Sequence, residues 1–313
     1  MKLLAIGDPH FKLDNVTETD AMVEDIILIA KRTEPDYIAC LGDILDRFSN
    51  IHVGPLVRAT SFLRRLIDIA PLILLIGNHD RPNNSVFCTE QHPFTSLKEW
   101  PRTFVVDKPM MIDGIAAIPY VPNGRFQEAL SMIEGEPRLI LAHQEFRGAK
   151  MGAIVSTTGD DWSITAPLVV SGHIHDYQRP QPNILYVGTP IQHGYGDKTD
   201  KGVSLLTIGE TVDETRYPLP SVPVKRVVRL TAEEARTYTP PATGLIKLVV
   251  SGTKDQLKLV KIKHPRVKVC YDTVTDTKPI LVEKKRSYLD NLYARLANLE
   301  CEQAWLEEIV KTE

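Results

Sequence analysis

The chain has 313 residues, of which 43% are hydrophobic and 25% charged, a composition typical of a globular protein long enough for two domains. No apolar run approaches the ~20 residues that span a bilayer, and Asp8 and His10 interrupt the N-terminal apolar stretch too early for a signal peptide. We therefore expect a cytoplasmic protein without membrane contact. The cysteines form no Cys-x-x-Cys pair, which argues against a disulfide framework or a structural zinc knot; they are Cys40, Cys88, Cys270 and Cys301.

The net charge of -3 is unevenly distributed along the chain. Residues 1–224 carry 20 Lys and Arg against 28 Asp and Glu, residues 225–286 carry 15 against 6, and residues 287–313 carry 2 against 6. An acidic body that can bind cations is therefore followed by a basic segment that could contact a polyanion. The proline-rich stretch 218–223 lies at this change. We predict a main domain at 1–220, a basic cap domain at 221–286 and a C-terminal helix at 287–313.

Strands and helices alternate over the first 76 residues. Apolar runs predict strands at 2–7, 37–41 and 71–76, and helical spacing of apolar residues predicts helices at 17–32 and 57–69. Polar residues follow every strand, a pattern typical of a mostly parallel sheet flanked by helices. Further strands are predicted at 104–106, 115–118, 139–142, 168–171, 184–187 and 203–208, with a helix at 126–133.

Side chains able to bind metal ions follow five of these strands. Carboxylate, imidazole and amide oxygen together suit divalent manganese, iron or zinc. Seven such ligands are too many for one ion but suit two octahedral ions, which a shared carboxylate can hold about 3.5–4 Å apart for displacement at phosphorus. His79 is then left to act as an acid or to stabilise a phosphate, and Asp80 could hold its ring by a hydrogen bond. The seven candidate ligands are Asp8, His10, Asp43, Asn78, His143, His173 and His175.

Each of these motifs alone has a simpler explanation. Asp-x-His is frequent by chance, the stretch 42–47 could be a turn with an exposed salt bridge, and His-Ile-His at 173–175 could be two solvated imidazoles. Their joint occurrence at successive strand ends favours a metal centre.

The motifs together resemble the calcineurin-like metallophosphoesterase superfamily over about residues 1–210. They are Asp8-x-His10, Gly42-Asp43-x-x-Asp46-Arg47, Gly77-Asn78-His79-Asp80, His143 and Gly172-His173-x-His175. The resemblance implies that Asp8, His10 and His175 bind one metal ion. It further implies that Asn78, His143 and His173 bind a second, that Asp43 bridges the two, and that His79 is the catalytic histidine. The implied fold is α/β, a four-layered α/β/β/α sandwich with a smaller α+β capping domain and a C-terminal helix.

Two further segments are similar to the SbcD-type nucleases of this superfamily. Residues 184–192 resemble their Tyr-x-Gly-Ser/Thr-Pro segment, and residues 143–152 resemble the compact phage version. The resemblance implies a DNA exonuclease or endonuclease in recombination and double-strand-break repair, nucleoid-associated or in the host cytoplasm if phage-encoded. Two divalent ions, manganese above all, an SMC-like ATPase partner and a homodimer formed through residues 57–69 and 94–100 are implied likewise. A small-molecule phosphodiesterase or phosphatase is the alternative, and a non-catalytic scaffold is a third interpretation.

The basic segment offers candidate DNA contacts. Lys254, Lys258 and Lys261 form one cationic stripe if residues 254–263 are helical, and they would neutralise phosphates in a salt-sensitive way. A solvated helix face is the alternative. Lys263, Arg266 and Lys268 extend this set.

Two histidines and the C-terminal helix are less clearly assigned. The related nucleases place a substrate-contacting histidine near His52, but a surface loop histidine is at least as good an interpretation, and the same holds for His193. The apolar seam at 287–311 could pack on the body of the protein or dock on the ATPase partner.

Overall fold

The computed structural model describes residues 1–47 and 50–274, so the predicted C-terminal helix lies outside the described residues. The helices are α1 (Val16–Thr33), α2 (Val53–Ile67), α3 (Phe126–Leu130), α4 (Ala232–Thr237) and α5 (Lys254–Lys258), with a 3-10 helix at Thr95–Glu99. The strands are β1 (Lys2–Ile6), β2 (Tyr37–Cys40), β3 (Leu72–Leu75), β4 (Thr103–Val106), β5 (Met110–Ile112), β6 (Ile115–Ile118), β7 (Leu139–Ala142), β8 (Lys150–Met151), β9 (Ile154–Val155), β10 (Val169–Ser171), β11 (Gln178–Gln181), β12 (Ile184–Tyr186), β13 (Gly202–Ile208), β14 (Val212–Pro218), β15 (Lys225–Thr231), β16 (Leu245–Gly252) and β17 (Val267–Thr273).

Two six-stranded sheets form the body of the protein. Their strand orders are β14-β13-β1-β2-β3-β4 and β11-β12-β10-β7-β6-β5. The strands β1 to β4 are parallel in the first sheet, as are β12, β10, β7 and β6 in the second. Antiparallel strands complete the edges. The prediction of mostly parallel pairing is therefore confirmed for the centre of each sheet.

The two sheets pack face to face, with helices on both outer faces. Successive strand residues point to opposite sides of a sheet. Leu3 and Ala5 of β1 accordingly face the second sheet, whereas Leu4 and Ile6 face α1 and α2. On the far side of the second sheet, Ile140 packs in a cluster with Phe126 of α3. This arrangement confirms the four-layered α/β/β/α sandwich.

The chain divides into two compact units. Among the described residues, the first comprises residues 1–229, 238–249 and 262–270, and the second comprises 230–237, 250–261 and 271–274. The strands β15, β16 and β17 form a three-stranded sheet. The predicted domain boundaries at residues 220 and 286 stay predictions.

Helix α2 begins at Val53, four residues before the predicted start. Pro55 lies in its first turn, where proline costs no helical hydrogen bond, so Gly54-Pro55 opens this helix rather than preceding it. Within residues 94–100, named above for the implied dimer, Thr95–Glu99 form a 3-10 helix, and the predicted helix at 126–133 ends at Leu130.

Helix α5 is shorter than predicted, because it ends at Lys258 and not at residue 263. Beyond it, burial alternates: Val260 is buried, Lys261 exposed, Ile262 half-buried and Lys263 exposed. This period of two belongs to extended chain. The three-lysine stripe on one helix face was therefore a wrong expectation, although the lysines themselves are exposed.

Within residues 1–47 and 50–274, no helix is long and apolar enough to cross a membrane. Cys40, Cys88 and Cys270 are free thiols, as predicted, and Cys40 is buried.

Candidate metal centre

The loops that follow β1, β2, β3, β7 and β10 bring the predicted ligands together, and the loop after β12 adds His193. We call Asp8, His10, His175 and His193 the first group, and Asp43, Asn78, His143 and His173 the second group. One ligand atom from each of His10, His175 and His193 lies within 4.8 Å of the others, and the same holds for Asp43, His143 and His173. Asp43 Oδ2 lies 3.7 Å from His10 Nε2 and 3.4 Å from His143 Nε2, so one carboxylate contacts both groups.

The second group is built around Asn78. His143 Nδ1 donates to the Leu41 carbonyl at 2.7 Å, which directs Nε2 toward Asn78 Oδ1 at 2.9 Å. His173 Nδ1 lies 2.9 Å from the same amide oxygen. An imidazole that uses one nitrogen as a donor to a backbone carbonyl presents the other as a metal ligand. Several electron-rich atoms therefore converge on one small volume.

The first group has the same chemistry. His10 Nδ1 lies 3.2 Å from the Leu45 carbonyl, and its Nε2 faces His175 Nε2 at 3.3 Å. The fully buried Asp8 accepts the backbone N–H of His173 on Oδ1 at 3.1 Å. Among the described residues, Asp8 Oδ2 has no hydrogen-bond partner.

Buried acceptors that face one another are costly unless a cation lies among them. The unpartnered Asp8 Oδ2 and the imidazole nitrogens of both groups supply the oxygen and nitrogen ligands that borderline divalent ions prefer. The residues present therefore fit a pair of divalent metal ions, one at each group.

The backbone is shaped to bring these side chains close. His10, Asp43 and His173 have positive φ angles of 43°, 50° and 75°, a left-handed conformation that costs a non-glycine residue free energy and is concentrated at functional sites. A Cβ at Gly77 would lie 2.2 Å from Asp43 Oδ1, and one at Gly172 would lie 2.6 Å from Asp8 Oδ1. These two glycines of the sequence motifs are needed for close approach.

Burial and neighbouring charges shift the pKa values of the side chains in the site. Burial raises the pKa of Asp8 to about 7, although His143 opposes this. Burial also disfavours charge on Asp43 and His143, yet their mutual attraction outweighs it: the pKa of Asp43 falls well below its usual range, and that of His143 rises to about 9. Metal ions bind neutral imidazole, so metal uptake at His143 would release a proton near neutral pH. For His173, burial lowers the pKa to about 3, which leaves that ring neutral.

His79 lies beside both groups. Its backbone N–H donates to Asp43 Oδ1 at 2.8 Å, its Nδ1 lies 2.7 Å from the Asp46 carbonyl, and its ring packs edge-on to His10 at 4.9 Å. The hydrogen bond between Asp80 and this ring stays a prediction. The Asp80 carboxylate accepts three backbone N–H groups, from Ile44, Leu45 and Gly77. Asp80 therefore fixes the two loops that carry Asp43 and Asn78.

His52 and the basic candidates for DNA contact differ in exposure and in their partners. His52 is exposed and precedes the first residue of α2 without a side-chain capping hydrogen bond, and it lines a cavity of about 390 Å³ with Asp46 and Arg47. Arg266 is half-buried and donates to the Ala242 carbonyl, and Lys258 is paired with Asp255 at 2.9 Å. The remaining basic candidates are exposed: Lys254, Lys261, Lys263 and Lys268. The contribution of this set and of His52 to substrate binding stays a prediction.

His193 is the residue that sequence analysis left unassigned. Its ring centroid lies 4.7 Å from that of His10 and 5.1 Å from that of His175. The strand β12 runs parallel to β10, so the two loops that follow them leave the same edge of the sheet. A histidine after the Gly-Thr-Pro turn at 188–190 could therefore have been placed near the site from the strand order alone.

A groove of about 510 Å³ opens beside the histidines of both groups. His173 and His175 lie in its wall, together with Lys150 and Lys198. Lys198 pairs with Asp176 at 2.9 Å, and Lys150 is exposed. An anionic substrate could enter here.

Comparison with known proteins agrees with this geometry. Residues 1–177 match the family model described as "Calcineurin-like phosphoesterase". "Putative phosphoesterase 244L" of Invertebrate iridescent virus 6 is 38% identical over 277 residues, 83% of this chain and 97% of the viral protein. "Putative phosphoesterase 078R" of Invertebrate iridescent virus 3 is 38% identical over 272 residues, 82% of this chain and 78% of that protein. The crystal structure of TT1561 of Thermus thermophilus covers 69% of this chain and 98% of its own, at 13% identity and a TM-score of 0.43, too low to transfer a function.

Proposed function

The chain belongs to the calcineurin-like phosphoesterases, and from this premise we propose that it is a two-metal DNA nuclease of the SbcD type. Phosphoester hydrolysis with divalent metals follows from the family; DNA as the substrate is the proposal. The observation that carries the catalytic part is the convergence of two ligand groups on the shared carboxylate of Asp43.

When bound, a pair of divalent ions supplies an activated nucleophile and neutralises charge on the phosphoryl oxygens. The protein contributes the positions. Asp43 holds the two groups together, and Asp80 fixes the loops around it through three backbone amides. The contact of His79 Nδ1 with the Asp46 carbonyl directs the opposite edge of its ring away from the loop. His79 there can stabilise or protonate the departing 3′ oxygen.

Charge supports DNA as the substrate. Residues 225–286 carry 15 Lys and Arg against 6 Asp and Glu, and several of these lysines are exposed. Exposed cations in the same chain as a phosphodiesterase site favour a sequence-independent polyanion. Manganese is our first choice of metal on the sequence resemblance; the mixed nitrogen and oxygen donors of both groups suit borderline divalent ions in general. An SMC-like ATPase partner and a homodimer rest on the sequence resemblance alone.

A small-molecule phosphodiesterase is the second candidate. The groove beside the ligands has about 510 Å³, within the range of small-molecule sites, and the body around it is acidic. A free nucleotide or another small diester would fit this description without any need for the basic segment.

A cleavage assay separates the two candidates. End-labelled duplex and single-stranded DNA are incubated with the full chain and Mn²⁺, beside a chromogenic diester, with Asp43→Ala as the inactive control. A charge-reversed variant carries Lys254→Glu, Lys261→Glu and Lys263→Glu. The control variant carries Lys31→Glu and Lys108→Glu, which replace two exposed lysines of the main body.

We expect DNA cleavage to fall in the first variant and the slope of log affinity against log salt to decrease by about 1 per lysine. The diester activity of both variants should stay at the wild-type level. A wild-type protein that hydrolyses the diester but leaves both DNA forms intact would instead favour the small-molecule function.

A further inference from the structure

The loop after β12 places His193 against the first group, where one of its ring nitrogens is hydrogen-bonded to the backbone. His193 Nε2 lies 3.1 Å from the Asp8 carbonyl oxygen. A carbonyl can only accept, so Nε2 carries the proton and Nδ1 keeps its lone pair. His193 Nδ1 is buried and has no hydrogen-bond partner among the described residues. A histidine with a purely structural role would be expected to satisfy this atom.

The backbone on both sides of His193 is held firmly. Asp197 Oδ2 accepts the N–H of His193 at 2.7 Å and that of Gly194 at 3.0 Å. Gln192 Oε1 accepts the N–H of Lys225 at 2.7 Å, while Gln192 Nε2 donates to the Lys225 carbonyl at 3.2 Å.

The side chain of Lys225 completes this support. It donates to the Gln192 carbonyl at 2.9 Å and pairs with Glu18 at 3.0 Å, and both charged side chains are almost fully buried. Removing either partner of such a pair is strongly destabilising. The loop that contains His193 is therefore held in place by hydrogen bonds and a buried ion pair, which fixes the position of the ring.

We infer that His193 is a ligand of the metal ion bound by His10 and His175. Building on the proposed two-metal function, this adds a third imidazole to that position. One ring nitrogen from each of the three histidines lies within 4.8 Å of those of the other two. A contact with the substrate phosphate explains the geometry less well, because the bare Nδ1 offers a lone pair and not a proton.

The inference makes the two metal positions chemically different. The first position has three imidazoles and the oxygens of Asp8 and Asp43, whereas the second has two imidazoles, the amide oxygen of Asn78 and Asp43. Nitrogen-rich sites favour cobalt, iron and zinc over manganese more strongly than oxygen-rich sites do. His193 therefore tunes which metal the first position prefers.

Equilibrium dialysis of the full chain with Mn²⁺ and with Co²⁺ tests this assignment. The variants are His193→Ala and His193→Gln, the second of which retains a polar side chain, and the control is His264→Ala, whose ring lies against the backbone of Arg266. Circular dichroism of the metal-free proteins confirms folding.

We expect two ions per chain in the wild type and the control. In both His193 variants one ion should bind at least ~10-fold more weakly, with an altered visible spectrum of the bound Co²⁺. Unchanged affinity for both ions would overturn the inference, and a loss of activity with both ions retained would assign His193 to the substrate. A wild type that binds no ions would overturn the two-metal function itself, so the two failures are distinguishable.

Discussion

The two ligand groups differ in how completely the protein itself positions them. In the second group, His143 is tied to the Leu41 carbonyl and both imidazoles meet Asn78; His143 and Asn78 are almost wholly buried, and His173 is half-buried. In the first group, His175 is exposed, and Asp8 Oδ2 has no partner among the described residues. The second group is therefore more fully organised before metal binds, whereas in the first group His175 and the Asp8 carboxylate depend on the cation, although His10 and His193 are held by backbone carbonyls. We expect the second position to bind its ion more tightly.

The largest effect is expected from Asp43, which belongs to both positions. Asp43→Ala should remove the shared ligand and lower diester hydrolysis by at least ~10³-fold, with loss of both tightly bound ions. Metal analysis after dialysis and a diester assay provide the measurement. If the variant retains both ions at wild-type affinity, Asp43 does not bridge the two groups.

A large effect without metal loss is expected from His79, which lies beside the groups and in neither. His79→Ala should lower kcat by about 10²–10⁴-fold, because proton transfer to the departing oxygen is lost, while two ions remain bound. Steady-state kinetics and metal analysis on the same preparation test this. Cleavage at the wild-type rate would show that the assigned role is wrong.

A moderate effect on the melting temperature is expected from Asp8→Asn, and its sign should differ between the metal-free and the metal-bound protein. The folded-state pKa of Asp8, about 7, exceeds the ordinary value of 3.8, so the metal-free protein loses stability as pH rises from about 4 to 7. Asp8→Asn should therefore melt higher than the wild type at pH 8 in chelator, by roughly 4 °C, and equally at pH 3.

Adding Mn²⁺ should reverse this order, because only the carboxylate of Asp8 binds the ion. Thermal melts at the two pH values, with metal and with chelator, give all four comparisons. A variant less stable than the wild type in chelator at pH 8 would contradict the stated cost of burying this carboxylate.

The smallest effect is expected from Gly172, which packs against both groups. A Cβ there would lie 2.6 Å from Asp8 Oδ1 and 3.1 Å from His143 Nδ1. Gly172→Ala should cost about 1–3 kcal/mol in the free energy of unfolding. Gly54→Ala is the matched control, since nothing lies within 4 Å of its Cβ position in α2. Denaturant melts measure both, and equal stability of the two variants would mean that the loops move apart freely.

The sequence predicted the centre of the fold, because buried parallel strands are uninterrupted apolar runs with polar residues at their ends; for the same reason the seven candidate ligands lie at strand ends that meet in the structure. The edge strands β11 and β14 were not predicted, because they lack such apolar runs. β11 reads Gln-Arg-Pro-Gln and β14 is mostly polar, so neither has an apolar run or a regular alternation. Their pairing is set by the neighbouring strand and not by their own composition.

The site details that were missed depend on contacts between distant residues. The sequence did not predict that Asp80 joins two loops, because the backbone amides that it accepts carry no sequence signal. His193 was left open because its position follows from the pairing of β12 with β10. The helical stripe was wrong because α5 ends at Lys258 and Lys261 lies in the extended segment that follows it.

The most direct test of the account is a crystal structure of the full chain with Mn²⁺, with anomalous scattering data collected at the manganese edge. The account predicts two anomalous peaks roughly 3.5–4 Å apart, with Asp43 between them, one beside His10 and His175 and the other beside His143 and His173. A single peak, or none among these side chains, would contradict it.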